Sequence, residues 1–172
     1  MKKILCVLAW YLLIVVLLTG CSQQSVPPSR RYTNDFYSFS FDPPAGWQQV
    51  PNYNSSVAVQ FSPANASNVS LYVAVPFTLS EGLSLSTFAD QTEENLIESG
   101  ANFTILHRDW GEGSQLSTYE LAYSYKQDDS TQYVKQVAIL RTRTVFLMTF
   151  TAPEPLANQY LALVNQSIGT FL

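Results

Sequence analysis

The sequence predicts an α+β domain in which an antiparallel β-sheet is sandwiched between helices. Three observations carry this expectation. From Asp35 onward apolar and polar residues alternate with period two through most of the chain, the signature of half-buried strands. Two segments, one mid-chain and one at the C-terminal end, place apolar residues at spacings of three and four, the signature of amphipathic helices. One strand, Val145-Phe146-Leu147-Met148 with Phe150, is apolar on both faces and is interrupted only by Thr149. A strand dry on both sides belongs in the middle of a sheet covered above and below.

The elements follow in order. Tyr37, Phe39 and Phe41 alternate with Ser38 and Ser40, and Asp42-Pro43-Pro44-Ala45-Gly46 then breaks the strand, because Pro cannot donate to a ladder and Gly relaxes the turn. Trp47 restarts it. Val57, Val59 and Phe61 form a second alternation, and Val69, Leu71, Val73 and Val75 a third that ends at Pro76. Ser84 or Ser86 caps a helix carrying Phe88, Ala89, Thr92, Leu96 and Ile97, with Glu93, Glu94 and Glu98 towards solvent and Gly100 as its stop. Strands resume at Phe103–Trp110, Leu116–Lys126, Tyr133–Leu140 and Thr144–Thr151. The short turns Gln127–Gln132 and Arg141–Arg143 make the last three antiparallel neighbours, though Arg141-Thr142-Arg143 lacks the Asn-Gly of a type I′ turn. A final helix after Pro153 and Pro155 aligns Leu156, Tyr160, Leu163, Val164, Ile168 and Phe171 on one face.

Composition narrows the function classes. The chain of 172 residues is 47% hydrophobic and 13% charged, which excludes a disordered chain and suits one domain. A net charge of −4 with nine Lys plus Arg argues against nucleic-acid binding, which needs clustered cations. Two Cys and one His argue against a structural zinc site.

The N-terminal segment reads as an address. Lys2 and Lys3 precede an apolar run from Ile4 to Leu18 that is too short to span a bilayer and fits a secretory signal. The run closes on Leu18-Thr19-Gly20-Cys21, which resembles the lipobox of bacterial lipoproteins. That resemblance implies removal of residues 1–20, diacylation of Cys21 on sulfur and a membrane anchor. Cys6 leaves with the signal, so the mature body has no thiol and no disulfide. Residues 21–34 are then the lipidated Cys and a polar tether that Pro27-Pro28 keeps extended, and 35–172 form a single domain. The stretch Ser22–Tyr32 reaches on the order of 35 Å, and Arg30 and Arg31 are expected as a solvated pair.

The order of landmarks carries a second resemblance. Tyr37-Ser-Phe-Ser-Phe41 is followed by Pro44-Ala-Gly-Trp47, Val59-Gln-Phe61 and Val69-Ser-Leu-Tyr-Val73. A Phe88-bearing helix, Tyr119-Glu-Leu-Ala-Tyr123, Val145–Phe150, Thr151-Ala-Pro153 and a closing helix ending in Phe171 complete the set. This resembles the PsbP/DcrB/Mog superfamily over roughly Phe36 to Phe171. The resemblance implies a sheet between helix layers and binding or assembly factors without enzymatic activity. With the lipobox and the polar tether, the reading is a non-catalytic lipoprotein of the cell envelope that binds a protein partner; the alternatives are a PsbP-like photosystem II accessory factor in the thylakoid lumen, with weak calcium binding, and a small envelope hydrolase.

No catalytic constellation stands out. His107 is the only imidazole and is expected to share a strand face with Phe103 and Ile105, with Leu106 and Arg108 opposite. A serine hydrolase would need a nucleophile elbow and an orienting carboxylate beside it, and neither motif is present. Gly111-Glu112-Gly113 lacks the strand–loop–helix context of a phosphate loop. The acids fall into three groups, Glu93/Glu94/Glu98, Asp128/Asp129 and Asp109/Glu112. Any of these is a candidate for weak calcium binding, yet none carries the spacing of a calcium loop. No cofactor is expected. Tyr119, Tyr123 and Tyr125 project from one strand face beside Tyr133 on the next, as core or, if exposed, as an interaction surface, since Tyr combines contact area with a polar tip.

Overall fold

The computed structural model describes residues 31–51, 54–99, 102–113 and 116–172; Cys21 and the signal-like segment lie outside them. Among these residues ten strands and two helices follow in the order β1 (Tyr32–Asn34), β2 (Phe39–Phe41), β3 (Trp47–Gln49), β4 (Val57–Pro63), β5 (Ser70–Ala74), β6 (Phe77–Thr78), α1 (Leu85–Glu98), β7 (Phe103–Glu112), β8 (Ser117–Gln127), β9 (Ser130–Arg141), β10 (Thr144–Pro153) and α2 (Glu154–Ile168). The main sheet runs β3-β4-β5-β10-β9-β8-β7 with β6 also on β10, and every pairing in it is antiparallel. The strand expected to be dry on both faces, β10, is thus central. The fold class is the one the sequence predicts.

The two faces of the sheet are filled differently. On one face Phe146, Met148 and Phe150 of β10 meet Val137 and Ile139 of β9, Leu71 and Val73 of β5, and Ala157 and Val164 of α2. The hairpin β1–β2 closes the rest of this face. Phe39 lies 5.6 Å from Phe171 and 5.9 Å from Phe146, and Phe41 lies 5.7 Å from Phe61 between ring centroids. On the opposite face Leu85 and Ala89 of α1 pack on Tyr119, Leu121, Val134, Ala138 and Val145.

Local chemistry explains the helix ends. The Ser84 hydroxyl accepts the Thr87 N–H at 3.1 Å, satisfying one of the free donors of the first turn of α1. Pro155 sits in the first turn of α2, where its missing N–H costs nothing. Gly46 at φ 80° turns the chain from the proline pair into β3 in a conformation that glycine adopts without strain.

Several expectations are corrected. The folded body begins before residue 35: Tyr32–Asn34 pair with Phe39–Phe41. Arg31 is not a solvated linker residue, because its guanidinium meets Asp42 Oδ1, Ser40 Oγ and the Thr170 carbonyl, each at 3.2 Å. The chain end is also tied in, with Ser40 and Leu172 exchanging both backbone hydrogen bonds. Ile97, expected on the apolar helix face, is 65% exposed. The turn at Thr142 is two residues long, with Thr142 at φ 59°. Arg141 fixes its flank by donating to the Ser38 carbonyl and lying 4.7 Å over the Phe146 ring.

Candidate functional site

Strict alternation along β8 sends Tyr119, Leu121, Tyr123 and Tyr125 to the face beneath α1. Tyr119 is 3% and Tyr123 8% exposed, so neither offers an open surface. Tyr133 pairs with Ser124, one register position away, and therefore points to the other face, where its ring lies 6.1 Å from Phe150. The four tyrosines do not form one stripe. Burial pushes the Tyr123 hydroxyl up to about 12, with Tyr72 and Tyr125 beside it adding to the shift. Burial likewise raises Tyr133.

A bulge in β7 rearranges the neighbouring residues. The register passes from Ile105↔Tyr123 to His107↔Ala122, so the extra residue, Leu106, flips the faces that follow. His107 consequently stands on the face opposite Phe103 and Ile105, contrary to the simple alternation, and Arg108 swings to the α1 side. There its Nε and Nη2 donate to the two carboxylate oxygens of Glu93 at 2.8 and 2.6 Å, while the Tyr119 hydroxyl donates to the same carboxylate. Hydrogen bonding from Arg108 holds the Glu93 carboxyl below its ordinary value against the opposing effect of burial. Burial and the Glu93 acceptor raise Tyr119. Glu93, expected in solvent, is therefore a latch between α1 and the sheet.

The remaining chemical candidates stand apart from one another. Asp109 accepts its neighbour's backbone N–H, from Trp110, at 2.9 Å. Asp128 and Asp129 form the β8–β9 turn, with Asp128 at φ 52°. Among the described residues no three His, Cys, Asp or Glu side chains gather as a metal site. An ion pair the sequence did not suggest joins Glu120 to Lys135 at 2.7 Å, with Lys135 buried.

The feature that does bring functional groups together lies beside the last turns of α1. Thr149 of β10 sits between Gln136 of β9 and Tyr72 of β5 in register, and Tyr72 in turn faces Gln60 of β4. This polar row crosses the centre of the sheet. The next row contains Val134, Thr151 and Ser70, with a 3.0 Å hydrogen bond between the last two hydroxyls. Above these rows Leu96, Phe103, Tyr123 and Tyr125 wall a cavity of about 250 Å³. Thr149 is 1% exposed, and its Oγ1 has no hydrogen-bond partner among the described residues. Buried hydroxyls are ordinarily paired, and an orphan costs about 1–3 kcal/mol.

A sequence profile of the DcrB family matches residues 40–170, which takes in the whole main sheet and both helices. The chain belongs to the DcrB family. Solved structures similar to this DcrB-family chain include that of cyanobacterial PsbP (CyanoP) from Synechocystis sp. PCC 6803, with TM-score 0.66 and 14% identity over 90% of this chain and 98% of that one. LpqN, involved in cell envelope biogenesis of Mycobacterium tuberculosis, aligns with TM-score 0.59 and 13% identity over 86% of each chain. PA94 from Pseudomonas aeruginosa aligns with TM-score 0.54 and 14% identity over 72% of this chain and 94% of that one. At such identities the likeness establishes a common fold. No curated protein sequence matches the chain. Within the DcrB-family body, sequence reasoning singled out Thr149 as the break in an apolar strand but assigned it no role. Tyr72 and Gln136 carried no separate signal, because each is one polar residue in an alternating strand.

Proposed function

We propose that this DcrB-family protein is an exported, lipid-anchored accessory factor of the cell envelope that works by binding a protein partner, without catalysis of its own. The observation that carries the reading is Leu18-Thr19-Gly20-Cys21 at the end of the apolar run, followed by a short polar segment before the folded body begins at Arg31. A diacylglyceryl group on Cys21 supplies two acyl chains, which give stable anchoring where one does not. A tether from Ser22 to Arg30 then keeps the body within roughly 30 Å of the bilayer. The cell-envelope role of LpqN fits this placement.

Metabolic labelling with palmitate in a bacterial host tests the anchor. The wild-type chain is expected to incorporate label and sediment with membranes, and Cys21→Ser to lose both properties. An unlabelled wild-type protein, or label that persists in Cys21→Ser, would overturn the reading.

A further inference from the structure

The cavity beside the last turns of α1 is unlike the rest of the sheet in its chemistry, and the anchored-factor reading does not use it. Its walls are aromatic, from Phe103, Tyr123 and Tyr125, and its floor is the polar row Gln136, Thr149 and Tyr72. Not one lining residue carries a formal charge at neutral pH. The burial that holds the Tyr123 hydroxyl neutral keeps it so well above that range. A charged ligand would therefore lose its hydration without gaining a counter-ion, at a cost such a site does not offset.

We propose that this cavity is a binding site for a small uncharged amphiphile, an aromatic or aliphatic body bearing one hydroxyl. The apolar part fits against Phe103, Tyr123 and Tyr125, where flat rings provide large contact area. The polar part is directed at the floor, where the unpartnered Thr149 Oγ1, closed to solvent, becomes its partner as the neighbouring Gln136 and Tyr72 side chains give way. A volume of about 250 Å³ falls below the range of roughly 300–1,000 Å³ for drug-sized sites, which limits the occupant to one or two rings. The orphan hydroxyl gives this cavity a directed hydrogen-bonding group, and binding relieves the cost of leaving it unpaired.

The test uses 2-naphthol, neutral at pH 7, in equilibrium dialysis against the full lipidated chain on nanodiscs, with empty nanodiscs subtracted. The expected result is saturable binding of one molecule per chain. Thr149→Val, which keeps the side-chain shape but removes the hydroxyl, should weaken it about three- to tenfold, and Gln136→Leu should also weaken it. Trp110→Ala, altering an exposed aromatic on β7 outside the cavity, should leave it unchanged. Excess 2-naphthoate, of similar size but anionic, should fail to displace the probe. Each of these results would overturn the proposal: no saturable binding above empty nanodiscs, equal affinity in Thr149→Val with its denaturation midpoint intact, equal loss in Trp110→Ala, or displacement by 2-naphthoate. If Thr149→Val does not fold, Gln136→Leu decides alone, and unaltered affinity there would overturn it equally.

Discussion

The two faces of the sheet are built from the same strands yet solve different problems. One is covered by α2 and by the β1–β2 hairpin over an apolar cluster that includes Leu71, Phe150, Met148 and Val137, and its one buried cation among the described residues, Lys135 opposite Phe150, is paired with Glu120. On the other, α1 and Leu79 cover Tyr119, Leu121, Val134, Ala138 and Val145, and further along β10 and β5 the same face presents Thr149, Thr151, Ser70 and Tyr72. Within β10 this difference falls between adjacent residues: Met148 is fully buried among hydrophobics, and Thr149, equally buried, is not paired. Cores are selected to exclude such groups. The first face therefore holds the fold together, and the second holds the features a ligand would use.

Substitutions should separate these roles, the largest effect first. Phe146→Ala removes a ring in contact with Phe39 and Phe171, so urea denaturation should register a loss of about 3–5 kcal/mol. A loss below about 1 kcal/mol would mean that the hairpin and the C-terminal turn do not seal this face. On the other side the effect should be smaller and dependent on pH. Glu93→Gln weakens the acceptor of the Tyr119 hydroxyl, for a loss of about 1 kcal/mol. Because the folded-state carboxyl titrates below its ordinary value, its stabilising contribution is present above about pH 5 and is lost as the pH falls through the folded value. Wild type and Glu93→Gln should therefore differ at pH 7 and converge towards pH 3. A constant difference across that range would remove Glu93 from the latch.

How much of this was legible in the sequence depended on whether a feature was periodic. The apolar central strand, the longer strands and both helices of the body followed from spacing alone, because a buried face repeats every two or every three to four residues. The bulge at Leu106 broke that rule. One unpaired residue reversed the faces of His107 and Arg108, and no composition signal precedes it. The start of the body was missed because Tyr32–Asn34 is too short to show alternation, and Arg31 is held by residues far along the chain, Asp42 and Thr170. The cavity was half visible. Thr149 stood out as a polar break in an apolar strand, but its meaning depends on Gln136 and Tyr72 arriving from other strands, which only the register reveals.

The claim that one face is a sealed core and the other a face furnished for binding is tested most directly at that pair of neighbours. Chemical denaturation of Met148→Thr and Thr149→Val, measured side by side, asks each position to accept the other face's chemistry. The account predicts that Met148→Thr loses about 2–4 kcal/mol, from a deleted apolar side chain and a new unpaired hydroxyl. Thr149→Val should match the wild type or exceed it by about 1 kcal/mol, since an orphan hydroxyl is replaced by a methyl group of similar shape. Comparable losses in both variants would contradict it, because Thr149 would then be an ordinary paired residue of the core.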